Sequence, residues 1–179
     1  VLPWVVRRTR LPLLSSRCPD CRSESATTGE GRFRVNANGK LLDVWLLVRC
    51  VSCGRTSKLT VHERAPVRSV DPAELDGYHT NDPELVASTL LDPLFARRNR
   101  FALDWEGAWR LDTPLAWLDE SWPVQVEVVF EDPVPVRPER LIAQGLGLSR
   151  NEVLRRIKCD IPLRRTTSTG FTFTVMAGD

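Results

Sequence analysis

The chain has 179 residues, of which 42% are hydrophobic and 27% charged, with a formal net charge of +2. That apolar share supports a packed core and excludes a disordered chain, while the length bounds the protein at one compact body or two small modules. The near-neutral total hides a division: residues 1–65 carry 12 Lys/Arg against 5 Asp/Glu, residues 66–136 carry 5 against 14, and residues 137–165 carry 8 against 3. Two basic stretches flank an acidic middle, a distribution that suits a chain whose ends meet a polyanion.

The opening Val1-Leu2-Pro3-Trp4-Val5-Val6 is apolar but is broken at once by Arg7, Arg8 and Arg10. It is too short for a signal sequence or a membrane span. Four of the five cysteines form two Cys-x-x-Cys pairs, Cys18/Cys21 and Cys50/Cys53, separated by the length of one β-hairpin. A tetrahedral Zn²⁺ takes four thiolates at about 2.3 Å, and each Cys-x-x-Cys turn supplies two of them. Disulfides, a redox Cys-x-x-Cys, or thiols that never meet are the competing readings. The redox site needs one pair opening a helix within a βαβ unit, and no such pattern is present. Four protein ligands leave no position for an activated water, so the expected metal is one structural Zn²⁺. Gly54 closes the second knuckle, and residues 56–63 read as a returning strand, which gives the layout of a zinc ribbon. Thiols in this spacing fit a reducing compartment, so the expected location is the cytoplasm. Cys159 stands alone and reads as a small buried residue at a helix end.

Between the knuckles, Arg32–Asn36 alternates and meets Asn38-Gly39, a dipeptide suited to the positive φ of a tight hairpin. The return strand, Leu41–Val48, is almost continuously apolar. It should therefore be buried on both faces, with Trp4 and Val5 as candidate cover. Arg32, Arg34, Lys40, Arg49, Arg55, Lys58 and Arg64 either line a basic rim or are ordinary solvated positions. Phe33–Lys40, followed by Leu42–Leu46 and the cysteine pairs, resembles a bacterial domain-of-unknown-function family, number 1062 in its series. The resemblance extends to His62-Glu63-Arg64, Asn81-Asp82 and Arg98-Asn99. It implies a zinc ribbon as a family trait and implies no activity.

In the acidic middle, Asp71-Pro72, Asp82-Pro83 and Asp92-Pro93 each read as a helix start. Aspartate accepts from the free amides as N-cap, and proline occupies the first helical position without losing a hydrogen bond. Phe101–Trp105 and Trp109–Leu111 alternate around Glu106-Gly107 and predict a hairpin that brings Trp105 and Trp109 together, as core or as a stacking pair. Val124–Phe130 reads as another strand. Asp132–Pro138 is proline-rich enough to be a stiff linker and a module boundary. His62 and His79 are not at ligand spacing from a cysteine, and no phosphate loop, nucleophile elbow or His-Glu-x-x-His helix occurs, so catalysis is not expected.

The last stretch, from Pro138 to Gln144, predicts a short helix through Glu139–Ala143, then a Gly-Leu-Gly-Leu turn and a second helix. The second helix opens on the capping box Ser149-Arg150-Asn151-Glu152. Val153, Leu154 and Ile157 should share its buried face, with Arg155, Arg156 and Lys158 toward solvent. Strands over Ile161–Leu163 and Phe171–Val175 would close the unit. Gly147, Leu148, Ser149, Arg150, Glu152 and Ile157 resemble the RNA-binding fold named after ribosomal protein S-four. Asp160 stands where that fold has glycine, and Arg164-Arg165-Thr166 replaces its Val-Asn-Gly turn. The resemblance implies phosphate contacts from Arg150, Arg155, Arg156 and Lys158, beside Arg140, Arg164 and Arg165.

The sequence thus predicts an α+β chain in three parts: a zinc-ribbon head (1–65), an acidic mixed α/β middle (66–136) and a basic S-four-like module (137–179). The leading expectation is a non-catalytic, zinc-containing protein that binds structured or ribosomal RNA and does not engage a membrane. The alternative is a zinc-ribbon protein–protein adaptor.

Overall fold

A computed structural model describes residues 1–114 and 123–176. The fold is a mixed α+β arrangement in two compact units, one formed by residues 11–104 and the other by residues 1–10 together with 105–179. The units therefore divide at 10/11 and 104/105, not at 65 and 136. The physical reason is strand pairing: β1 (Leu2–Arg8) hydrogen-bonds to strands from the second half of the chain, so the first ten residues leave the cysteine-bearing segment that follows them.

Within 11–104, a five-stranded antiparallel sheet has the order β5-β4-β3-β2-β6. Its strands are β2 (Leu13–Ser15), β3 (Ser25–Asn38), β4 (Leu41–Cys50), β5 (Thr56–Pro66) and β6 (Ala102–Asp104). The β3–β4 turn consists of Gly39 and Lys40, because Asn38 still pairs with Leu41. Only Gly39 takes a positive φ, of 63°. Along β4, Leu42, Val44, Leu46 and Val48 are buried, whereas Leu41, Asp43, Trp45 and Leu47 are only half-buried. The apolar run is thus one-sided, contrary to expectation, and its cover is helical. α1 (Pro72–Thr80), α2 (Pro83–Leu91) and α3 (Pro93–Arg98) contribute Tyr78, Val86, Leu90 and Phe95 to one core with those strand residues.

Each helix begins as the Asp-Pro pairs require. Asp71 accepts from the amides of Ala73 and Glu74, Asp82 from that of Glu84 and Asp92 from that of Leu94, with proline in the first turn each time. Two asparagines anchor the helices to the sheet. Asn81, in the left-handed cap of α1, accepts from the Phe33 amide at 2.7 Å, beside the irregularity of β3 between Thr27 and Arg32. Asn99, after α3, makes two bonds to the Thr60 backbone.

The other unit holds a sheet of order β7-β1-β8-β10-β9, with β7 (Trp109–Asp112), β8 (Val124–Phe130), β9 (Ile157–Cys159) and β10 (Phe171–Val175). β1 runs parallel to β8, and the remaining pairs are antiparallel. Trp4 is fully buried here and meets Phe173 edge-on at 5.1 Å, so it belongs to this core. The expected Trp105–Trp109 hairpin does not form, because β6 pairs with β2 while β7 pairs with β1. A turn does form, with the Ala108 amide donating to the Trp105 carbonyl, but the chain passes through it from one sheet to another.

Residues 132–138 are not a linker either. Val134 and Val136 are buried, and Val136 exchanges two 2.8 Å backbone hydrogen bonds with Thr167. Two helices follow, α4 (Pro138–Leu146) and α5 (Arg150–Arg156). The capping box of α5 is complete: the Glu152 amide donates to the Ser149 hydroxyl and the Ser149 amide donates to the Glu152 carboxylate. Val153 is buried and Leu154 exposed, while Ile157 ends the helix and begins β9. The strand expected at 161–163 therefore lies earlier, at 157–159. Asp160 explains the shift by accepting the backbone and hydroxyl hydrogens of Thr172, which fixes the turn beside the β9–β10 pairing. No described helix is long and apolar enough to cross a membrane.

Candidate metal centre

The two knuckles have the same construction. In the first, the Arg22 amide donates to the Cys18 carbonyl at 2.9 Å and the Cys18 amide to the Ser23 carbonyl at 2.7 Å. In the second, Gly54 donates to Cys50 at 3.0 Å and Cys50 to Arg55 at 2.9 Å. Arg22 and Gly54 both take positive φ, 63° and 74°, which folds each loop back over its own cysteines. β2 leads into the first knuckle, and β4 and β5 lead into and out of the second. The β3–β4 pairing of Ala26 with Cys50 brings the two knuckles together.

The four sulfurs lie within 4.8 Å of one another. Cys18 and Cys53 approach to 3.7 Å and Cys21 and Cys50 to 3.5 Å, and all four thiols are free. A disulfide would require about 2.05 Å. Four sulfurs around a metal at about 2.3 Å would have tetrahedral edges of about 3.8 Å, which the observed separations approach. Cys18 and Cys50 are buried while Cys21 and Cys53 are exposed, so the cluster sits at the surface end of the sheet.

The electrostatics favour a cation. Amide hydrogen bonds from Cys21 and Asp20 hold the Cys18 thiol below its ordinary range, and the Cys53 amide, followed by that of Ser52, brings Cys50 down to about 6. At Cys53 the Arg55 amide pulls in the same direction, but desolvation and the neighbouring sulfurs outweigh it and push the thiol up to about 12. The opposition between sulfurs is what a central cation would remove. Arg55 also pairs with Asp20, linking the knuckles and holding that carboxyl below the usual range. The sequence carries no local signal of this pair, since the two residues lie 35 positions apart.

The basic residues singled out near the C-terminus are arranged less tightly than their spacing suggests. Arg140, Arg150, Arg155, Lys158 and Arg165 are exposed. Arg156 is half-buried, with a hydrogen bond to the Met176 carbonyl, and Arg164 lies 3.6 Å from the buried Glu139 carboxylate. At about 100° per residue, Arg150 and Arg156 flank the buried Val153 on opposite sides of α5, and Arg155 points away from it. Another group was not assembled from the sequence: Tyr78 Oη donates to Glu74 and lies 3.1 Å from His62 Nε2, beside a cleft of about 370 Å³. Its only sequence signal is the four-residue spacing of Glu74 and Tyr78 on α1.

Fold and site together define a mixed α+β protein with a four-cysteine cluster able to hold a metal ion. Residues 35–165, well over half of the chain, match the family described as "Protein of unknown function (DUF1062)", and the chain belongs to that family. The matched span contains Cys50 and Cys53 and begins after Cys18 and Cys21. No curated protein and no solved structure matches the chain.

Proposed function

We propose that the chain is a zinc-containing RNA-binding protein without catalytic activity. In this reading Cys18, Cys21, Cys50 and Cys53 hold one structural Zn²⁺ in a zinc ribbon, and the S-four-like α4–α5–β9–β10 region contacts RNA phosphates. A four-thiolate set suits zinc or an iron–sulfur cluster, and closed protein ligation is the structural zinc pattern.

The observation that carries the RNA reading is the fate of the acids between residues 137 and 165. Eight cations there accompany three acids, and each acid has a local structural partner. Glu139 faces Arg164, Glu152 completes the capping box, and Asp160 holds Thr172. Arg155 and Arg156 also lie in the field of Glu152, and the exposed Arg140, Arg150, Lys158 and Arg165, joined by Arg155, are the cations proposed to meet an external polyanion.

Filter binding to ribosomal RNA across a salt series tests this. Arg150→Ala/Arg155→Ala should weaken binding and lower the logarithmic salt slope by about 0.7–0.9 for each phosphate that is no longer neutralised. Circular dichroism would establish that α5 survives. A folded double variant with wild-type affinity and slope would overturn the RNA role of this region, and the adaptor reading would take its place.

A further inference from the structure

The face of the β3–β4–β5 sheet opposite the helices has a composition that the metal site and the core do not explain. Three successive rungs cross it: Arg34–Trp45–Thr60, Arg32–Leu47–Lys58 and Thr27–Arg49–Thr56. The intervening rung, Phe33–Leu46–Leu59, is the buried one facing the helices. Arg32, Arg34, Arg49 and Lys58 are all exposed, Trp45 is half-buried, and none of the positions on these three rungs is acidic. Asp43, one rung beyond Trp45, accepts from the Arg64 amide, and Glu30 lies in the β3 bulge beside Arg32 and Arg49. The Lys58 ammonium stands 4.8 Å from the centroid of the Trp45 ring.

A merely solvated strand face carries mixed charge and has no need of a tryptophan at its centre. Here Arg32 and Arg34 stand about 6.6 Å apart as alternate residues of β3, with Arg49 on β4 and Lys58 on β5 adding one cation each. Arg34 and Lys58 flank an indole whose face already attracts a cation and would equally accept a flat π-system. Cations that track a backbone, combined with an aromatic shelf, are what single-stranded nucleic acid requires, because phosphates and bases are both open. A duplex hides its base faces, and an acidic peptide would use the charges while making no use of the indole as a stacking surface.

We propose that this sheet face, with Trp45 as the stacking platform and Arg32, Arg34, Arg49 and Lys58 as phosphate contacts, binds single-stranded nucleic acid. The site draws only on residues of the 11–104 unit and does not rest on the role proposed for α4–α5.

The test uses the full-length zinc-loaded protein and fluorescence anisotropy with labelled U12, dT12, a 12-base-pair duplex and poly-glutamate over a salt series. Measurements are made in both the wild type and the Arg150→Ala/Arg155→Ala background. U12 or dT12 should bind in both backgrounds and more tightly than duplex, and the ratio between them tells whether RNA or DNA is preferred. Trp45→Leu should weaken single-strand binding by roughly 5- to 150-fold with little change in salt slope. Arg32→Ala/Lys58→Ala should reduce the slope by about 0.7 per phosphate. Trp45→Phe, which keeps an aromatic face, should retain most of the affinity. If Trp45→Leu does not fold, the Trp45→Phe and Arg32→Ala/Lys58→Ala variants decide. Wild-type binding by the folded face variants, equal affinity for duplex, or equal competition by poly-glutamate would each overturn the proposal. Loss confined to the Arg150/Arg155 variant would overturn it while sparing the C-terminal site.

Discussion

Arg22 and Gly54 occupy the same place in the two cysteine knuckles, each donating its amide to the carbonyl of the first cysteine and each in the left-handed region. Only one of them is glycine. A left-handed conformation costs a residue with a Cβ about 1–2 kcal/mol, while glycine gives back about 0.5–1 kcal/mol in unfolded-state entropy. Arg22→Gly should therefore leave stability unchanged or raise it by up to about 1.5 kcal/mol. Gly54→Ala should lower it by about 1 kcal/mol. Urea midpoints of the two metal-loaded variants check this, and greater damage from Arg22→Gly would contradict it.

Metal removal should unfold the knuckles. Cys50→Ser should lose bound zinc by elemental analysis and fall clearly in thermal stability, whereas Cys159→Ser, whose sulfur lies on β9, should keep its metal. Acid should act in the same direction as the mutation. Binding displaces thiol protons, so affinity falls as pH falls, and the fall steepens below the Cys50 value of about 6, where that proton too must be displaced. Chelator titrations at several pH values provide the check, and a pH-independent affinity would argue against thiolate ligation.

The cysteine cluster was legible because Cys-x-x-Cys is a local pattern whose geometry follows from its own turn. The same holds for Asp71, Asp82 and Asp92, and for the Ser149–Glu152 capping box, where cap and helix are adjacent in sequence. What failed depended on distant pairing. Nothing near Trp4 signals that β1 joins β8 in parallel, or that Trp105 and Trp109 straddle a passage between sheets. Asn81 and Asn99 stood out only through the family resemblance, and their partners Phe33 and Thr60 lie 48 and 39 residues away. Arg22 carried no signal, since its φ is imposed by the knuckle it closes.

Tyr78 should make stability fall at high pH. Burial, then its bond to Glu74, raises the phenol above its ordinary value of 10.0. Above about pH 10 the unfolded chain loses this proton while the folded chain retains it, so the unfolded state is favoured as pH rises. Tyr78→Phe removes the titrating group and should flatten that part of the profile, at the cost of the hydrogen bonds to Glu74 and His62. Urea unfolding between pH 8.5 and about 11.5 measures it, and identical alkaline slopes for the two proteins would refute the assignment.

Asn99 completes the open edge of β5. Among the described residues strand β5 ends the sheet, so the outward backbone groups of Thr60 have no neighbouring strand there. The Asn99 side chain takes that place: its oxygen accepts from the Thr60 amide at 2.8 Å, and its nitrogen donates to the Thr60 carbonyl at 3.1 Å and to the Phe95 carbonyl at 3.1 Å. An edge left unpaired is destabilising where water is partly excluded and invites pairing with other chains. Asn99→Ala should lower the unfolding free energy by about 1–3 kcal/mol and speed hydrogen exchange at the Thr60 amide. Asn99→Asp, which keeps the acceptor and loses the donor, should preserve protection at Thr60 while still weakening the fold. Unchanged Thr60 exchange in Asn99→Ala would show that the edge is held by something other than this side chain.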